Sequence, residues 1–157
     1  MVKRKSTTRF SSLEVPTVLT QTDTTVGFLS QNADKLYEIK SRTNTKPFIK
    51  VFNNFNSFSK SNLRIPKNQR NLVRRSRKTT FIVKNRAFRI AKVTLNSQIL
   101  RDKTWNYSTS ANKTKESFNR DFCEDKADII IENLYGLKQN SSSTLLKINN
   151  HKIRKIR

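Results

Sequence analysis

Histidine and cysteine occur once each in this chain of 157 residues, as His151 and Cys123, and glycine only twice. A single histidine excludes a histidine-rich metal site and any serine or cysteine triad that needs an imidazole base. A single cysteine excludes an internal disulfide and fits a reducing compartment; Cys123 is expected to be buried rather than reactive. No apolar run approaches the roughly eighteen residues of a spanning helix. The basic residues at the start are not followed by the apolar core of a signal peptide. The expectation is a cytoplasmic protein with no membrane partner.

Acidic residues are also scarce: 11 Asp and Glu stand against 33 Lys and Arg, a net charge of +22. From Ile39 to Arg101 there are 17 basic residues and no acidic one. A field of that sign concentrates polyanions. Nucleic acid comes before anionic membrane, because no long amphipathic helix offers an insertion face. An AT-rich genome would raise lysine and asparagine, but it would raise Asp and Glu as well.

Apolar residues make up only 34% of the chain, yet ten phenylalanines, three tyrosines and a tryptophan argue for a folded protein with a small core. The length suits one domain. Residues 1–12 read as a flexible basic arm, 13–148 as the domain, and 149–157 as a basic tail carrying His151.

The densest chemistry lies between Gln21 and Pro47. Val15 to Leu19 is rich in β-branched residues and reads as a strand delivering Thr22, Asp23 and Thr24 to its end. Gly27 lets the backbone turn or approach a neighbour closely. Ser30 or Asn32 can cap a helix whose Ala33, Leu36, Tyr37 and Lys40 share a face. Lys40, Arg42 and Lys46 sit at its exit. They suit the negative end of a helix, which is the commoner role for such cations, and they can also converge on one anion.

Further along, Pro47 to Phe52 reads as a strand, and Phe55 and Phe58 as core phenylalanines rather than stacking platforms. Pro66 suits a helix start, with Leu72 and Val73 apolar and Lys67, Arg70, Arg74, Arg75 and Arg77 outside. With Lys78, these cations form the candidate RNA-facing element. Thr79–Val83 and Ala87–Ile90, separated by Lys84-Asn85-Arg86, read as a hairpin or as neighbouring strands. A short helix is expected over Leu95–Leu100, a strand at Trp105-Asn106-Tyr107, a helix over Phe118–Lys126 and strands at Ala127–Ile131 and Thr144–Ile148. Strands alternating with short helices indicate an α/β or α+β sheet domain.

Polar clusters therefore gather at Thr22–Thr24 with Lys40, Arg42 and Lys46, at Ser108–Asn112, and at Ser141–Thr144. Their order resembles the YrdC-like family of threonylcarbamoyl-AMP synthases. That family carries Pro-Thr-Asp-Thr-x-Tyr-Gly-Leu, then Lys-x-Arg-Pro near a Lys-Pro, then Ser-Ala-Asn, then Ser-Thr before its last strand. Here they appear as Gln21-Thr22-Asp23-Thr24-Thr25-Val26-Gly27-Phe28, Lys40-Ser41-Arg42, Lys46-Pro47, Ser110-Ala111-Asn112 and Ser143-Thr144. Arg89-Ile90 matches a Val-Arg-Ile-Pro strand. The chain departs from the pattern at Gln21, Val26, Thr43, Ala91 and at Ser76-Arg77-Lys78, where Pro-Gly-Pro is expected.

The resemblance implies a twisted, open mixed sheet with helices on its faces. It implies synthesis of threonylcarbamoyl-AMP from L-threonine, bicarbonate and ATP, in service of tRNA modification. Lys40 and Arg42 would be the catalytic cations, and Lys46 would hold phosphate or carboxylate oxygens. Ser108, Ser110, Asn112, Ser143 and Thr144 would bind nucleotide, and Thr22 and Thr24 would line the threonine pocket. Mg2+ would arrive with ATP, with no metal held by the protein itself, and tRNA-modification proteins are further expected partners. The alternative is a non-catalytic module on the same fold that binds tRNA or double-stranded RNA. A third reading keeps the cleft for another carbamoyl or nucleotide compound.

Overall fold

The computed structural model describes residues 2–4, 15–41, 47–91, 102–114 and 116–157. They fall into two compact units, Met1–Lys46 with Tyr107–Ser141 and Pro47–Asn106 with Ser142–Arg157. The class is α+β with mixed strand pairing, as the sequence indicates. The helix expected over Leu95–Leu100 lies outside the described residues.

In the first unit, strands β1 (Val2–Arg4), β2 (Val18–Gln21), β3 (Val26–Ser30), β7 (Trp105–Ser110, from Tyr107 onward in this unit) and β8 (Ile129–Ile131) lie in the order β1-β8-β2-β3-β7. β2 runs parallel to β8, and the other pairs are antiparallel. Strand β1 is part of the expected arm; Val2, Lys3 and Arg4 pair with Ile131, Ile130 and Ile129. Strand β2 starts three residues later than the sequence reading, because Thr17 is engaged by Asp128, whose Oδ2 accepts its N–H at 2.7 Å.

All five residues of β3 are buried, which a strand with a partner on each side permits. Gly27 lies inside this strand rather than in a turn. A Cβ there would stand 2.9 Å from the Thr109 carbonyl oxygen and 3.2 Å from Thr22 Cγ2, so close backbone approach is what requires glycine. Helix α1 (Ala33–Lys40) follows, capped by Asn32, whose Oδ1 accepts from the N–H groups of Asp34 and Lys35 at 3.0 and 3.4 Å. It buries Leu36 and Lys40 and ends at Ser41 in the left-handed region (φ 45°). Helix α4 (Arg120–Lys126) is capped by Asn119 and buries Cys123.

In the second unit, β4 (Ile49–Phe52), β5 (Thr79–Val83), β6 (Arg86–Ile90), β9 (Thr144–Ile148) and β10 (Ile153–Lys155) run in the order β4-β6-β5-β9-β10. β4 is parallel to β6 and β5 to β9, while β5–β6 and β9–β10 are antiparallel. The expected hairpin forms with a two-residue turn, Lys84 and Asn85, both at positive φ (46° and 61°), matching strand twist.

Phe55 and Phe58 lie on a short helix, α2 (Phe55–Ser59), where the Asn54 side chain accepts from Ser57 N–H at 2.8 Å and starts the turn. A single 3-10 turn (Lys67–Gln69) separates Pro66 from α3 (Arg70–Arg75). Phe52, Phe58, Val73, Phe81, Phe88, Ile90 and Ile148 form the core. Phe58 meets Phe52 edge-on at 5.3 Å and stacks on Phe88 at 4.8 Å. The phenylalanines pack as core. The expected basic tail contributes β10: Ile153 pairs with Ile148 and Lys155 with Leu146, both apolar positions of β9.

Candidate functional site

Lys40 occupies the last turn of α1 on the same face as Leu36, so the packing that buries Leu36 also draws Lys40 inward, leaving it 4% exposed. A buried ammonium needs acceptors, and the segment after β7 supplies them. Lys40 Nζ donates to the Ser110 carbonyl at 3.1 Å, to Asn112 Oδ1 at 2.8 Å and to the Asn112 carbonyl. Ser110 Oγ donates to the same Asn112 Oδ1 at 2.6 Å, and Asn112 Nδ2 donates to the Glu116 carbonyl at 2.5 Å. Thr114 closes the loop by donating its hydroxyl to the Lys40 carbonyl at 2.7 Å. Three sequence-selected residues, Lys40, Ser110 and Asn112, thus meet in one network. Thr114 was not singled out; its only sequence signal is a hydroxyl four residues after Ser110.

Thr22 and Thr24 belong to the turn between β2 and β3. Thr22 Oγ1 accepts from the N–H groups of Thr24 and Thr25, both at 3.3 Å, and donates to the Thr25 carbonyl at 2.6 Å. The two threonine hydroxyls are 3.2 Å apart. Residues 138–140 close over this turn: Gln21 Oε1 accepts from Lys138 N–H at 2.9 Å and Thr25 Oγ1 from Asn140 N–H at 3.1 Å. Gln21, which replaces a proline of the family pattern, thereby has a structural task. Ser108 is buried in β7 opposite Leu29. Arg42 and Lys46 lie outside the described residues.

In the second unit, Ser143 is buried and shares a 2.8 Å hydroxyl contact with Thr80. Thr144 is exposed and donates its N–H to the Lys78 carbonyl at 3.0 Å. Arg89 of β6 is buried, a charged position in the interior. Lys78 has φ 47°, which a proline ring cannot adopt, so the loop at Ser76-Arg77-Lys78 follows a path that Pro-Gly-Pro would not. Arg70, Arg74, Arg75, Arg77 and Lys78 are all exposed, since α3 turns Val73 inward and its cations outward. Arg74 lies over the Phe55 ring, 6.0 Å from its centroid.

Cys123 is fully buried in α4. Desolvation pushes its thiol up to about 11, although the Asn119 backbone and the charge of Lys40 act in the opposite direction. It is not a nucleophile at neutral pH. Two carboxylates, Glu132 and Glu124, hold Arg120 firmly protonated. Among the described residues no three His, Cys, Asp or Glu side chains gather as a metal site, and no helix is long and apolar enough to cross a membrane.

No protein-family model matches this sequence, and no curated protein matches it. Solved structures do share its fold. Sua5 from P. abyssi, crystallised with L-threonine, is similar with a TM-score of 0.73 at 17% identity, over 90% of this chain and 50% of that one. YciO from E. coli is similar at 0.70 and 13% identity, over 91% of this chain and 82% of that one. MTH1692 from Methanobacterium thermoautotrophicum is similar at 0.64 and 17% identity, over 100% and 92%. The chain spans about half the length of the Sua5 structure and most of the other two. It has the Sua5/YrdC-like fold.

Proposed function

We propose that this protein is a threonylcarbamoyl-AMP synthase-like enzyme of tRNA modification, joining L-threonine, bicarbonate and ATP and using its basic face to hold RNA. The observation that carries this reading is the likeness to Sua5 with L-threonine, combined with the meeting of Lys40, Ser110 and Asn112.

The threonine amine condenses with bicarbonate, releasing water, to give a carbamate. A carbamate oxygen then attacks the α-phosphorus of ATP and displaces pyrophosphate. That chemistry needs positioning and charge neutralisation more than a nucleophilic side chain. Lys40, Arg42 and Lys46 would supply the charge, Thr22 and Thr24 would meet threonine, and Ser108, Ser110, Asn112, Ser143 and Thr144 would meet nucleotide. Mg2+ would enter with the triphosphate.

The test is pyrophosphate release by the purified protein. Release that requires both threonine and bicarbonate, and that falls in Arg42→Gln and in a folded Lys40→Ala variant, supports the enzyme. Absence of release from folded protein overturns it.

A second reading, an RNA-binding module without catalysis, is favoured by the way Lys40 and Asn112 satisfy each other and by the exposed row Arg70, Arg74, Arg75, Arg77 and Lys78. For this module, RNA affinity falls steeply with salt. Arg74→Gln with Arg75→Gln lowers the slope of log affinity against log salt by about two, one for each lost phosphate contact. An unchanged slope excludes that face.

A further inference from the structure

A separate cavity lies wholly within the second unit. It holds about 280 Å³ and is lined by Lys50 and Phe52 of β4, by Asn56, Ser57, Lys60, Ser61 and Asn62, and by Thr104 with Trp105 at the start of β7. Its wall carries two cations, Lys50 and Lys60, two asparagines, three hydroxyls and no carboxylate.

Lys50 is the unusual member. Its ammonium sits 3.6 Å from the centroid of the Trp105 ring and 5.8 Å from that of Phe52. Ring faces attract a cation but accept no conventional hydrogen bond, and no carboxylate pairs with Lys50 among the described residues. Desolvation pulls the ammonium below its ordinary pKa, and repulsion from Arg86 adds to it. A positively charged group held in this way is stabilised by an incoming anion, which fills its donor positions and offsets Arg86.

The remaining wall narrows the class of anion. Asn56, Ser57, Ser61, Asn62 and Thr104 present amides and hydroxyls suited to a polyhydroxylated body. The volume lies at the small end for ligand pockets. We propose that this cavity binds a small phosphate ester of a polyol, of the size of a pentose phosphate, with Lys50 and Lys60 on the phosphate and the amide and hydroxyl wall on the sugar. This site is independent of the threonine and ATP chemistry proposed above.

Trp105 is the only tryptophan, so its fluorescence reports on this cavity alone. Full-length protein is titrated with ribose 5-phosphate, with inorganic phosphate and with ribose. The expected result is a saturable emission change with ribose 5-phosphate, weaker binding of inorganic phosphate and none of ribose. Affinity for ribose 5-phosphate falls about 10- to 100-fold in Lys50→Gln, the scale of a lost charged hydrogen bond. Lys60 is exposed, so Lys60→Gln is a second variant that leaves the core alone; a several-fold loss is expected. No saturable change, equal affinity in a folded Lys50→Gln and in Lys60→Gln, or inorganic phosphate binding as tightly as the ester would each overturn the proposal.

Discussion

Truncating Asn112 to alanine tests whether the Lys40 network holds the first unit together. Lys40 keeps only 4% of its surface exposed, and its acceptors include the Ser110 and Asn112 carbonyls and Asn112 Oδ1 at 2.8 Å. A hydrogen bond to a charged group contributes about 1.5–3 kcal/mol, and more when its loss strands a buried charge. The two neutral bonds of Asn112, to Ser110 and Glu116, lie at an exposed edge where water can replace them, so they add little. Asn112→Ala is therefore expected to cost about 2–3 kcal/mol. With Lys40→Met in place there is no charge to strand, and the same truncation should cost under about 1 kcal/mol. The difference, a coupling of about 1–3 kcal/mol, is measured by urea denaturation of wild type, both single variants and the double variant, followed by far-ultraviolet circular dichroism. A coupling within about 0.5 kcal/mol of zero would refute the reasoning, because independent sites add to that accuracy.

Three further outcomes follow from the geometry. Phe58, buried between Phe52 and Phe88, should cost about 3–5 kcal/mol when replaced by alanine; a loss under about 1 kcal/mol in thermal or urea denaturation would mean the aromatic cluster is not the core. Lys84 holds φ 46° in the hairpin turn, a conformation that costs an L-residue about 1–2 kcal/mol. Lys84→Gly should therefore raise the melting temperature, glycine's chain entropy returning only part of that gain, and a lowered one would contradict the turn assignment. Cys123 has its thiol raised to about 11 in the fold, so the unfolded chain loses its proton first as pH climbs. The burial contribution is intact below the ordinary thiol range and declines from there toward pH 11. Denaturation midpoints should fall over that window in wild type and less in Cys123→Ala; parallel profiles would refute the burial of the thiol.

Much of this was legible in the chain itself. Asn32 followed by an apolar spacing ending in Lys40 announces both a helix and the face that Lys40 shares with Leu36. The β-branched and aromatic runs around Lys84-Asn85 announce the hairpin, and Thr144–Ile148 forms a strand over the residues expected. What could not be read was long-range. Lys40 at a helix exit looks like a cation for an anion or a dipole, and only the fold shows that Asn112, far along the chain, is its acceptor. Gly27 reads equally as a turn or a close approach, and only the fold shows that Thr109 is the neighbour that demands it. Phe55 and Phe58 stand at the i, i+3 spacing of a helix, but two positions are too few to establish a period, and the Asn54 cap decides the matter. The strand at Ile153–Lys155 was hidden because its cations read as solvated tail, although its partners Ile148 and Leu146 sit a short turn away.

The division of the chain has a temporal side. Each unit is assembled from two separated stretches, with residues 47–106 interposed between the halves of the first. Strand β2 leaves the ribosome more than a hundred residues before its parallel neighbour β8. The β2–β3 hairpin must therefore wait with the apolar side chains of Val18, Leu19, Val26, Phe28 and Leu29 incompletely covered until the ribosome has delivered β8. Such delayed closure of distant strands slows folding and lengthens the interval in which a nascent chain needs protection from aggregation.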